Sequence, residues 1–156
     1  TFVDKDIELL SEKYEVKRNT YPWNSKKHFL LIYFIKQLVW LFKNRKTNVV
    51  ILMFGGWWAF IPIWFSKLYK QKTILILGGT DCVSYPEFNY GSLRKKSQAR
   101  IIKYCVSNCT ILAPVAEELM YYENSYFKNT ISKQGIKAFF PDIKSTHQTI
   151  FNGYSP

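Results

Sequence analysis

The chain has 156 residues, 47% apolar and 18% aromatic, the length of one domain and far too hydrophobic for a disordered segment. Its 22 Lys and Arg against 11 Asp and Glu leave a net charge of +11. The excess is local, because Val16 to Thr80 contains no acid but holds Lys17, Arg18, Lys26, Lys27, Lys36, Lys43, Arg45, Lys46, Lys67, Lys70 and Lys72. Such asymmetry points to an anionic partner: lipid headgroups, phosphates or nucleic acid.

In chain order, Val3, Ile7, Leu10 and Tyr14 recur at helical spacing, and Glu15 to Arg18 reads as a short strand. KHFLLIYFIKQLVWLFK predicts a helix over 28–44, with the stripe Tyr33, Lys36, Gln37, Trp40 and Asn44 as its narrow water-facing side. The uncharged run TNVVILMFGGWWAFIPIWFS has the length of a membrane-spanning helix. Its β-branched start, Gly55, Gly56 and Pro62 argue instead for a strand over 48–53, a turn and a helix over about 58–70. A strand at 73–77 follows, then a loop from Gly78 to Gly91, a helix over 93–105, a strand at 110–113 and a helix starting near Val115. The stretch 126–145 reads as irregular or weakly helical, and Thr149 to Phe151 as a last strand. Near-continuous apolar strands alternating with helices predict an α/β domain, a Rossmann-like doubly wound parallel sheet with helices on both faces. Such a domain normally begins with a strand, so the first strand and its glycine-rich turn are expected to lie upstream, and a second domain downstream.

Cys82, Cys105 and Cys109 form neither a paired framework nor a C-x-x-C motif, so neither a disulfide network nor a metal site is indicated, and a reducing cytosol is the expected compartment. His28 and His147 belong to no motif and read as surface or turn positions. The basic residues of LRKKSQARIIK read as a solvated helix face or as a phosphate-attracting one.

Parallel sheets bind ligands outside the carboxyl ends of their strands. The residues there are Gly55, Gly56 and Trp57, then Gly78, Gly79, Thr80 and Asp81, then Pro114 and Val115, and last Asn152 and Gly153. Asp81 could accept a hydrogen bond from a sugar hydroxyl or act as a general base; equally, it could cap a turn.

TFVDKDIELLSEKYEV, the strand followed by Gly-Gly and an aromatic, ILILGGTDCVSYPEFNYG, ILAPVAEEL and TIFNGYSP together resemble the amino-terminal domain of a GT-B glycosyltransferase of the glycosyltransferase family 4 type. The resemblance implies that residues 1–151 are the acceptor-binding half of a two-domain, retaining enzyme and that 152–156 begin the crossover to a donor-binding domain. A nucleotide sugar would be the donor, held by that other domain, and this half would bind no cofactor and no metal. Asp81 would face the acceptor with Gly79 and Thr80 shaping the turn, Glu87, Asn89 and Tyr90 would wall the acceptor side, and Asn152 and Gly153 would sit at the crossover. Family members commonly carry a His where Gly78 or Gly79 stands here, which leaves Asp81 as the catalytic candidate.

The resulting expectation is a glycan or lipid-linked acceptor and a cytoplasmic protein peripheral to the inner membrane face. Its membrane-facing residues would be Lys26, Lys27, Tyr33, Lys36, Trp40, Lys43, Arg45 and Lys46. The alternatives are a non-catalytic membrane-docking subunit of a split transferase and a basic nucleic-acid-binding domain; aromatics that do not alternate with Arg argue against the latter.

Overall fold

A computed structural model describes residues 2–20, 30–125 and 132–151. Helix α1 spans Phe2–Ser11 and α2 Leu30–Lys43; β1 (Val49–Met53), α3 (Trp57–Leu68), β2 (Lys72–Leu77), α4 (Lys96–Asn108) and β3 (Ile111–Pro114) then alternate. A small hairpin of β4 (Tyr122–Asn124) and β5 (Ser132–Gln134), a one-turn helix α5 (Ile136–Phe139) and β6 (Thr146–His147) complete the described fold.

The strands of the main sheet pair in the order β1-β2-β3-β6, all parallel, and the hairpin stands apart as a second sheet. Register sets Leu52 beside Leu75 and Leu75 beside Leu112. These side chains form one core with Ala59 and Ile63 of α3 and Ile102, Cys105 and Val106 of α4. A parallel connection is right-handed, so successive crossovers running in one direction put α3 and α4 on the same face. The opposite face carries Val49, Ile51, Met53, Ile74, Ile76 and Ile111, all partly or well exposed. The layer expected on that second face is therefore supplied by neither crossover helix. The fold is an α/β parallel sheet flanked by helices, compatible with a Rossmann-like domain.

The charge-free run does not span a membrane as one helix. It divides at Gly55 and Gly56 into β1 and α3, and among the described residues no helix is long and apolar enough to cross a bilayer.

Proline inside α3 explains how α2 is oriented. Pro62 has no N–H, so the carbonyl of Trp58, four residues earlier, lacks its helical donor. Gln37 of α2 supplies one: its Nε2 donates to the Trp58 carbonyl at 2.9 Å. Gln37 is accordingly buried, beside buried Leu41, and Tyr33, Trp40 and Asn44 are half-buried. This reverses the expected facing. Four of the five stripe residues, Tyr33, Gln37, Trp40 and Asn44, turn toward the protein, while Lys36 stays exposed. The side presented to solvent is apolar.

Other departures are local. Glu15 to Arg18 forms no strand; the Arg18 guanidinium instead reaches back to Asp4 at 2.6 Å. The helix expected near Val115 is a single 3-10 turn over Glu117–Leu119. The last strand begins earlier than expected, at Thr146, and its pairing with β3 continues as Gln148 N–H donates to the Leu112 carbonyl and Ile150 N–H to the Pro114 carbonyl. Lys26, Lys27, His28, Asn152 and Gly153 lie outside the described residues.

Candidate functional site at the carboxyl edge of the sheet

Two glycine turns close the carboxyl ends of β1 and β2, and Asp81 ties them together. Its Oδ2 accepts the Gly55 amide at 2.7 Å; its Oδ1 accepts the Gly78 and Gly79 amides at 3.2 and 3.1 Å, and the Cys82 thiol at 3.6 Å. The side chain is only 1% exposed. Burial raises its pKa above the ordinary carboxylate value, against the pull of the amides of Gly55, Gly78 and Gly79 and its own. Both carboxylate oxygens are thus turned into the protein, toward amides of two separate turns. In this structure Asp81 braces the loops on which a ligand would rest.

The rest of the edge is shaped around this brace. Phe54, at the end of β1, adopts φ 63, a left-handed conformation unusual for an aromatic residue, and its ring lies over Gly78, where an added Cβ would come within 1.7 Å of Phe54 Cε1. Only glycine permits that approach. Gly55 and Gly56 are buried and Trp57 is half-buried. The pinned aromatic is instead its neighbour Trp58, whose indole N–H points at the carbonyls of Met53 and Phe54, 3.0 Å from each. Gly78 and Thr80 are exposed, and the space beside Gly79 is open, with Leu119 Cδ2 the nearest atom to an added Cβ at 3.9 Å.

Leu119 belongs to the turn after β3, and this turn brings in residues that the sequence reading did not assign. Glu117 accepts a hydrogen bond from the Thr149 hydroxyl through Oε2, and its Oε1 lies 3.7 Å from His147 Nε2. His147, expected at a surface or turn, sits on β6 opposite Leu112. A carboxylate, an imidazole and a hydroxyl thus gather at the same sheet edge as the Gly79 turn. The available signal was the rule that led to Val115, extended by two residues.

Glu87, Asn89 and Tyr90 are exposed on the loop that leaves this edge. Tyr85 and Tyr90 exchange backbone hydrogen bonds at 2.9 and 3.1 Å across the turn, and Asn89 takes a left-handed conformation, φ 51, that ends the 3-10 turn Pro86–Phe88. The loop is held by the hairpin: Gln134 accepts the Ser84 amide at 2.9 Å and donates to its carbonyl at 3.1 Å, and the hydroxyls of Tyr85 and Tyr122 share a hydrogen bond. Asn89 therefore has a turn-forming role, while the Tyr90 ring and the Glu87 carboxylate remain open to solvent.

The three cysteines are free and buried. No group of three His, Cys, Asp or Glu among the described residues could hold a metal ion. No family model, no curated protein and no solved structure matches the chain.

Proposed function

We propose that this chain is the acceptor-binding half of a nucleotide-sugar-dependent glycosyltransferase. The observation that carries the reading is the carboxyl edge of the parallel sheet, where Asp81 holds the Gly55, Gly78 and Gly79 amides in a rigid seam beside the open Gly79–Thr80 turn and the Glu117, His147 and Thr149 cluster. Ligands of open parallel sheets bind at this edge. The exposed Gly78 and Thr80, with a carboxylate and an imidazole at the ends of the neighbouring strands, suit a polyhydroxylated glycan or lipid-linked acceptor, whose hydroxyls both donate and accept hydrogen bonds. Glu117 is the group that would accept a hydrogen bond, or a proton, from the acceptor hydroxyl, with His147 and Thr149 orienting it. The nucleotide sugar would be held by a second, donor-binding domain facing this edge.

Positioning of donor against acceptor supplies up to roughly 7–11 kcal/mol of a group-transfer barrier, so residues 1–156 alone should transfer no sugar. The test is transfer of labelled hexose from nucleotide sugars to a membrane lipid extract by the whole natural gene product. Thr80→Arg, which fills the open turn, and Glu117→Gln are expected to lower transfer at least tenfold with unchanged thermal melting. Undiminished transfer by both variants, or transfer by residues 1–156 alone, overturns the reading.

A further inference from the structure

Helix α2 presents solvent with an apolar stripe. Leu31 is 68% exposed, Ile32 45%, Ile35 54%, Val39 50% and Phe42 53%. At about 100° per residue these five fall within about 100° of the helix circumference, with Lys36 and Lys43 just beyond one border. Basic residues also mark the helix end, where the Arg45 guanidinium lies 4.7 Å from the centre of the Phe42 ring and Lys46 is exposed. The stretch from Val16 to Thr80 that contains this helix has no acid.

This arrangement is not a by-product of a loosely attached helix. The opposite side is anchored by the Gln37 bond to the Trp58 carbonyl, so the orientation that exposes the stripe is the one that meets the hydrogen-bond deficit left by Pro62. Rotating α2 to hide Ile35 and Val39 would leave that carbonyl bare. The fold therefore displays the stripe.

We propose that α2 is an in-plane docking element for an anionic lipid bilayer, with Leu31, Ile32, Ile35, Val39 and Phe42 entering the headgroup–acyl boundary and Lys36, Lys43, Arg45 and Lys46 meeting lipid phosphates. A helix of 14 residues is about 21 Å long and cannot span a hydrocarbon core, but it can lie in the interface with its apolar side sunk about 5–10 Å. The charge pattern selects the occupant. A second copy laid on the same surface by two-fold symmetry would oppose cation to cation, whereas an anionic bilayer accepts the apolar stripe and neutralises its rim together. The face differs from the one the helical pattern suggests: Tyr33 and Trp40 look inward, and the lipid-facing set is aliphatic with one Phe. The inference is independent of the proposed transfer reaction.

Vesicle flotation with the 156-residue chain tests it, comparing phosphatidylglycerol-containing vesicles with pure phosphatidylcholine. Binding to the anionic vesicles is expected to weaken about tenfold or more in three separate ways: in Ile35→Glu/Val39→Glu, in Lys36→Gln/Lys43→Gln/Arg45→Gln/Lys46→Gln, and on raising salt from about 0.1 to 0.5 M. Every substituted side chain is exposed, so thermal melting should stay unchanged. An environment-sensitive dye on Val39→Cys should shift to the blue with anionic vesicles, and the same dye on Lys103→Cys of α4 should not. Equal binding to both lipids overturns the proposal. Anionic binding that survives Ile35→Glu/Val39→Glu overturns it too, because charge alone then suffices. A Val39 dye already buried without vesicles, together with concentration-dependent dimerisation lost in Ile35→Glu/Val39→Glu, would make the stripe a contact between copies and also refute it.

Discussion

Replacing Asp81 with Ala removes the acceptor for three backbone amides at once. Gly55 is buried, so its amide bears the full cost of an unmade hydrogen bond, about 1–3 kcal/mol. Gly78 is exposed and Gly79 partly so, and their amides can turn to water; each loses only the net worth of one bond, about 0.5–1.5 kcal/mol. The sum is about 2–6 kcal/mol, and relief of the desolvated carboxylate places the expected loss near the lower half, about 3 kcal/mol at neutral pH. For a chain of this size that is a fall in melting temperature of roughly 6–12 °C. The pH dependence has a definite sign. Burial holds the folded-state pKa of Asp81 above its unfolded value of about 4, so the folded chain retains a proton that the unfolded chain releases. The stabilisation linked to this group is then fully present below about pH 4 and declines as pH rises through the folded pKa. Thermal melting followed by circular dichroism from pH 4 to 8 should show the gap between parent and Asp81→Ala widest at the acid end. A variant that melts with the parent at neutral pH, or a gap that widens with rising pH, would refute the bracing role and return Asp81 to the ligand.

The bond between α2 and the proline-interrupted helix gives a second test. Gln37→Leu should cost about 1–3 kcal/mol by stranding the Trp58 carbonyl, and Pro62→Ala, which restores an N–H four residues on, should reduce that cost by about 1 kcal/mol in a double-mutant cycle read by urea unfolding. Additive losses would show that the two residues do not serve the same carbonyl. The thiols supply a third. Burial pushes Cys109 up to about 11 and Cys105 up to about 12, and Cys82 higher still, so at pH 8 about one Cys109 in a thousand is a thiolate. A chromogenic disulfide reagent should find no fast-reacting thiol in the folded chain and three after denaturation; a rapid native phase would contradict the buried placement.

What could be read along the chain was whatever depends on near neighbours. The runs VVILM and KTILIL are strands because β-branched and aliphatic residues crowd a helix and fill a pleated sheet, and Gly55 with Gly56 separates β1 from α3 wherever the domain is placed. The same alternation was enough for a parallel sheet and for the location of its carboxyl edge. Which way a side chain turns was not local. The polar stripe of α2 reads as its wet side until Pro62, in another helix, leaves the Trp58 carbonyl in need of Gln37. Asp81 looks like a reactive acid at a strand end until three amides from two separate turns converge on it. Glu117, His147 and Thr149 form a cluster only because β6 pairs beside β3 and lays residues some thirty positions apart against one another. Hydrogen-bond deficits and burial are properties of the assembled chain. Residue spacing fixes which groups share an element, and only the packed sheet and helices decide which of them face a partner, a neighbour or water.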